Sequence, residues 1–284
     1  MRFHRIFVLL LVSLVVVGCS WISILYRTAN VFVEKYADDY LSLDSSQLAA
    51  WKPTLTDGLA HHRREELPHL AAFFGGLHDA AQAGFKVVNT ECLLDAFEGL
   101  YRRHFHLAAE LTAPLLVSLR PRQIRALERK FAEEAQDEAE KNRDLERRLR
   151  KRAERWTEFA EWLIGSLTGA QRRIIREVTK AMPDTAADWA AYRGARRAGL
   201  IRLLDRKAGK SEIRRYLTDW LADHKDLPPP LRTAKQAIRR QAIRLGASFS
   251  RTQRTHLKKW LANLRGDFMG LQKNPRMAPL RCPR

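Results

Sequence analysis

Strand-forming patterns, glycine and proline are all scarce in this chain. Its 284 residues hold 14 glycines and 11 prolines, and hardly any segment alternates apolar with polar residues while enriched in Val, Ile and Thr. That excludes sandwiches and barrels, which need many short strands and frequent turns. Three cysteines are too few to build a disulfide scaffold. No G-x-G-x-x-G, P-loop, H-E-x-x-H, nucleophile-elbow or C-x-x-C pattern occurs, so the sequence supplies no catalytic residue, metal site or cofactor motif. Asp and Glu are plentiful, but they sit on charged helical faces. The expectation is an all-α, non-enzymatic protein without β-sheet: an elongated multi-helix bundle with one long helix near residues 121–164.

What is present is a recurrent helix start. Leu43-Asp44-Ser45-Ser46-Gln47, Leu119-Arg120-Pro121-Arg122-Gln123, Leu167-Thr168-Gly169-Ala170-Gln171 and Phe249-Ser250-Arg251-Thr252-Gln253 share one pattern. An apolar residue precedes a cap, and glutamine follows three residues after that cap. This is the capping box: the cap side chain accepts an N–H of the first turn, and the glutamine reaches back to the cap's own N–H. Asp44, Thr168 and Ser250 are competent caps. Arg120 is not, and Pro121 at the first helical position starts that helix instead. An L-T-x-x-Q signature resembles that of small helical periplasmic proteins of the Spy and CpxP type. That resemblance implies a cradle-shaped chaperone or stress modulator.

The N-terminus has a positive region at Arg2 and Arg5, an apolar run over 6–17 broken by Ser13, and then Val16-Val17-Gly18-Cys19. Small residues before a cysteine resemble a bacterial lipobox, which implies removal of residues 1–18 and acylation of Cys19. Ser20 after the cysteine implies sorting to the outer membrane, with the protein facing the periplasm. Apolar residues continue as Trp21, Ile22, Ile24 and Leu25, so a single inner-membrane span is the alternative. Further on, Tyr40, Asp44 and Gln47 fall in a Tyr-x-x-Leu-Asp-x-x-Gln motif, and His62, Arg63, Glu66, Leu67 and Pro68 in His-Arg-x-x-Glu-Leu-Pro. Together they resemble an uncharacterised family of bacterial lipoproteins, with His61 where that family usually has tryptophan. The resemblance implies location and fold, not mechanism. His62 and Glu66 share a helix face, which reads as a structural ion pair.

Residues 121–164 carry apolar residues in steps of three and four, including Ile124, Leu127, Phe131, Leu145, Leu149, Trp156 and Leu163. Acidic residues crowd the earlier half and basic ones the later half, an order that suits the helix dipole. Such a helix is either a charged, solvated structural face or a coiled-coil arm for a partner. The segments expected are a signal over 1–18, an N-terminal helical region over 19–118, the long helix and its successors over 119–227, a basic helical hairpin over 231–271, and a loose tail over 272–284.

The formal net charge is +19, and it is uneven. Residues 196–284 hold 23 Lys and Arg against 6 Asp and Glu. Arg239, Arg240, Arg244, Arg251, Arg254, Lys258 and Lys259 are the candidates there for contact with an anionic surface. Export removes nucleic acid as the partner. Anionic lipid, lipopolysaccharide and protein clients remain. If Cys19 is acylated, Cys92 and Cys282 are left as a pair that either forms a disulfide or keeps a buried thiol at Cys92. These features imply a membrane-anchored helical binding or chaperone-like protein of the envelope. A structural tether for a larger assembly is the alternative.

Overall fold

The computed structural model describes residues 21–282. They form an all-α bundle, and no strand occurs among the described residues. The helices are α1 Trp21–Arg27, α2 Ala29–Leu41, α3 Ser45–His61, α4 Leu67–Ala83, α5 Val87–Val117 and α6 Pro121–Asn142. They continue as α7 Leu145–Ile164, α8 Gly169–Ala181, α9 Ala186–Asp205, α10 Lys210–Leu217, α11 Pro229–Ala247 and α12 Arg251–Gly270. Two wider π turns, His62–Glu66 and Thr218–Ala222, interrupt the helical runs between α3 and α4 and after α10. No described helix is long and apolar enough to cross a membrane.

The boxes start helices as their local chemistry dictates. Asp44, Thr168 and Ser250 each accept the backbone N–H of the glutamine three residues on, at 3.0, 3.2 and 3.2 Å. Each glutamine returns its Oε1 to the cap's own N–H. Arg120 has no acceptor to offer, so only the glutamine half of that box forms, at 2.8 Å. Its guanidinium pairs with Asp44 at 2.7 Å instead.

Several local expectations give way to packing or to neighbouring caps. The stretch expected as one helix over 121–164 is two, because Asp144 accepts Arg147 N at 2.9 Å and caps a fresh start. At the start of α9, Thr185 occupies the cap position without a side-chain cap bond, and Asp184 accepts Ala186 N at 3.4 Å while also holding Arg148. Gly209, not Ser211, precedes α10. Pro53 and Pro114 lie inside α3 and α5 without ending them.

The tail expected to be loose is held in place as far as residue 282. Ala278 N donates to Pro68 O at 3.0 Å, Arg276 pairs with Glu65 at 3.2 Å, and Leu280 packs among Phe73, Phe74 and Leu93. A disulfide joins Cys92 on α5 to Cys282, their Cα atoms 5.6 Å apart. Apolar burial of Leu280 and a covalent link outweigh the entropy that frees most termini.

Two large apolar cores result, and a smaller cluster of Tyr192, Leu227 and Leu231 lies apart from them. One gathers Leu43, Trp51, Leu55, Leu119, Leu127, Leu200, Ile213 and Leu217, so the segments 19–118 and 119–227 share it. The other gathers Phe85, Leu93, Ile164, Leu167, Ile175, Phe249, Leu257 and Leu261. Helix α12 runs along α4 in the second core, with Phe74 against Phe268 and Trp260.

Candidate functional site

The four box glutamines meet in two couples. Gln47 and Gln123 exchange hydrogen bonds through their side-chain amides, Nε2 to Oε1 at 3.1 and 2.7 Å. The second N–H of Gln47 goes to the carbonyl of Ser118, and that of Gln123 to the carbonyl of Ser42, both at 2.7 Å. Gln171 and Gln253 repeat the arrangement at 2.8 and 2.9 Å, with the carbonyls of Ser248 and Ser166 as the other acceptors. Each amide therefore uses both donors and both lone pairs, which is what a buried amide requires. All four are buried. Leu43 and Leu119 enter the first core beside their couple, and Leu167 and Phe249 enter the second. The chain thus carries two versions of one joint, each clamping the start of one helix to the start of another some eighty residues away. The serine five residues ahead of each glutamine (Ser42, Ser118, Ser166 and Ser248) is as regular as the glutamine. It is the one sign in the sequence that the boxes have partners, and capping chemistry alone does not reveal it.

The residues of the His-Arg-x-x-Glu-Leu-Pro motif are likewise structural. Glu66 is 3% exposed and receives Arg103 through two hydrogen bonds, 2.7 and 2.8 Å. His61, where tryptophan was the resembling pattern, stands 4.0 Å from the same carboxylate. The His62 ring is burial-depressed to a pKa of about 4, with His104 adding to the effect, so it is neutral at physiological pH. Its Nδ1 lies 3.1 Å from the Tyr26 hydroxyl, and Arg63 covers the Tyr26 ring. Tyr40 donates to Glu134 at 2.9 Å. Apart from the Tyr40–Glu134 contact, which joins α2 to α6, these groups fasten α1, the π turn and α5 together, and His61, Glu66 and Arg103 line an open hollow of about 530 Å³ with Arg102, His106 and Glu110.

The open site lies elsewhere, between α7 on one side and α9 and α11 on the other. This cleft encloses about 1010 Å³. Its α7 wall presents Arg147, Lys151, Arg152 and Arg155, with Arg143 at the α6–α7 turn. None of these five has an acidic partner among the described residues. Arg152 is half-buried even so. The opposite wall carries the apolar residues Met182, Leu227, Leu231, Ala234 and Ile238 with Arg193, His224 and Lys235 among them, and Glu138 and Glu140 of α6 also line the cleft. Trp156 and Trp189 line it as well.

This separation of charge has a simple origin. The acidic half of the 121–164 stretch is consumed by α9, where Arg197 pairs with Glu134 at 2.6 Å and Arg193 with Glu138. The basic half turns away at Asp144: Arg148 pairs with Asp184 and Arg150 with Glu146 of its own helix, while Arg147, Lys151, Arg152 and Arg155 meet no carboxylate among the described residues. Nε of Arg148 remains buried without a hydrogen-bond partner, and so does Nδ1 of His224, another cleft residue. Burial and the nearby Lys235 hold the His224 imidazole below its ordinary pKa. Behind Trp189 and His224 a smaller hollow of about 400 Å³ is lined by Phe97, Tyr101, Tyr192 and Trp220.

The basic residues singled out in the sequence are scattered by comparison. Arg239 is committed to Asp95 at 2.7 Å and Glu98 at 2.9 Å, and these carboxylates hold its pKa above the usual value. It is therefore already engaged within the bundle. Arg244 meets Glu177 at 3.4 Å, and Arg254 donates to Phe249 O at 3.3 Å. Arg240, Arg251 and Lys259 are exposed, Lys258 half so, and none of the four forms an ion pair among the described residues. Cys19 lies outside the described residues. No group of three or more His, Cys, Asp or Glu within them could hold a metal ion.

Compared with known proteins, the chain matches the model of one family over residues 39–232, more than half of its length. No curated protein and no solved structure matches it. The matching model is described as a family of unknown function (DUF6279).

Proposed function

The chain belongs to DUF6279, a family of unknown function, and on that premise we propose that it is a non-catalytic binding protein of the bacterial envelope, chaperone-like in action. Acylation at Cys19 anchors it to the outer membrane, and the helical body faces the periplasm. The observation that carries the reading is the geometry of the cleft between α7 and the α9–α11 side: the α7 cations Arg147, Lys151, Arg152 and Arg155 have no acidic partner among the described residues and stand opposite a largely apolar wall. Such a surface attracts anionic, partly apolar partners. It offers no nucleophile or general base aligned with a second group. The tethering alternative draws on the anchor and on a long helix over 121–164, and the structure divides that helix at Asp144.

Two experiments test the reading. The protein without its anchor is expected to slow aggregation of an acidic unfolded client at low ionic strength. The protection should weaken at about 1 M salt, where the screening length shrinks to about 3 Å. No protection at stoichiometric excess in low salt would sink the chaperone-like reading. For the anchor, Cys19→Ala is expected to leave an unprocessed precursor in the inner membrane, seen by fractionation and gel mobility. Normal processing and outer-membrane sorting of that variant would remove the lipobox from the account.

A further inference from the structure

We propose that the cleft and the aromatic hollow behind it form one site for a single-chain, phosphate-headed lipid. The headgroup sits on the α7 cations and the hydrocarbon chain follows the α9–α11 wall. This deepens the binding role proposed above and rests on it. Three features of the cleft separate this ligand from an acidic polypeptide.

The first is segregation. Arg147, Lys151, Arg152 and Arg155 share the α7 wall, while Met182, Leu231 and Ile238 lie on the other. Residues 147, 151 and 155 are spaced by four and so follow one face of the helix. A head-and-tail molecule matches two walls of opposite character. A polypeptide spreads charge and apolar groups along its length.

The second is hydrogen bonding. The apolar part of the wall opposite α7 is Met182, Ala234 and Ile238, with Leu227 and Leu231 nearly buried beside them. A peptide backbone laid on them would bury N–H and C=O groups without partners. A hydrocarbon chain has no such groups. The polar demand of the headgroup is met on the other wall. There Arg148 Nε is buried and unpartnered, although another nitrogen of the same guanidinium holds Asp184.

The third is the continuation. Trp189, Arg193, His224 and Lys235 border both the cleft and the aromatic hollow. A chain that runs past Ile238 and Trp189 reaches Phe97, Tyr101 and Trp220 by passing beside Arg193 and the exposed Lys235, whose ammonium is held by Glu98. His224, held uncharged by burial, stacks on Tyr101 with centroids 5.5 Å apart and adds no charge at that passage.

The test is calorimetric titration of the full-length protein with lysophosphatidylglycerol and with lysophosphatidylcholine, both below their micellar concentrations. Lysophosphatidylglycerol is expected to bind at least tenfold more tightly, and its affinity should fall as salt rises. Each added methylene that finds cover should raise affinity about fourfold, so longer chains bind better until the hollow is filled. Lys151→Glu with Arg152→Glu and Arg155→Glu should remove the preference for the anionic headgroup. These side chains make no internal ion pairs, so circular dichroism and thermal melting should be unchanged. Ile238→Asp, at a position 42% exposed, should instead flatten the chain-length dependence and keep the headgroup preference. Equal affinity for the two lipids would overturn the proposal, as would binding indifferent to the triple reversal, or tighter binding of an acidic peptide that displaces the lipid. Client protection without lipid binding would defeat this proposal and leave the binding role standing. Lipid binding without client protection would do the reverse.

Discussion

Gln123→Ala is expected to lower the unfolding free energy by about 2–4 kcal/mol. The side chain is 2% exposed and its amide serves four groups. It accepts from Arg120 N at 2.8 Å and from Gln47 Nε2 at 3.1 Å, and it donates to Ser42 O and to Gln47 Oε1, both at 2.7 Å. Truncation leaves those partners buried or half-buried without replacements. Each stranded group costs about 1–3 kcal/mol where water cannot reach it. Water will reach the half-buried ones, so the total lies well below the sum. Urea unfolding should show a lower midpoint with an unchanged slope.

Gln47→Ala should behave alike. The double variant should cost less than the two singles together, by about 1–2 kcal/mol, because the second removal strands fewer partners. Gln171→Ala lies in the other joint and should add to Gln123→Ala without coupling. A loss under about 0.5 kcal/mol for Gln123→Ala would mean that the couples follow the fold and do not hold it. The Gln171–Gln253 joint matters to the cleft directly: it fixes the start of α8 against the α11–α12 turn, and α7 and α11 form the cleft's walls.

Opening the Cys92–Cys282 disulfide is expected to cost about 2–5 kcal/mol. The cross-link spans 190 residues of sequence, and a long loop closed covalently removes much entropy from the unfolded chain. The upper end assumes an unfolded chain without residual structure, and the lower end is typical of native disulfides. The effect should have a local signature too. Without the link, the tail keeps one backbone hydrogen bond to Pro68, the Arg276–Glu65 pair and the Leu280 contacts. The surface ion pair contributes little. Limited proteolysis of the Cys92→Ser, Cys282→Ser variant should therefore clip residues near 273–282 before the helical body. An unchanged melting temperature in reductant, with the tail still protected, would show that packing alone secures it. A link of this kind persists in an oxidising compartment, in keeping with the envelope location proposed for this chain.

Much of the architecture is local and therefore readable. Asp44, Thr168 and Ser250 start helices because an acceptor and a glutamine three residues apart satisfy the first turn by themselves. The all-α class follows from the apolar spacing and from the missing strand signals. Asp144 was as good a cap as those three, but the apolar stripe running through 121–164 concealed it. The repeated serine ahead of each glutamine was also in plain view.

The sequence by itself determined where the four capping-box helices begin and the all-α class of the described residues, since caps and periodicity act within a few residues. The tertiary structure alone decided which charges remain free. Summed over residues 196–284 the surplus of cations is large, yet Arg239 there is spent on Asp95 and Glu98 of α5. In the stretch around Asp144, which a count by segments shows as nearly balanced, α9 takes the carboxylates of Glu134 and Glu138, and Arg147, Lys151, Arg152 and Arg155 of α7 are left without an acidic partner among the described residues. Whether a charge is available depends on the helix packed beside it, often fifty or more residues away, and no local rule carries that information.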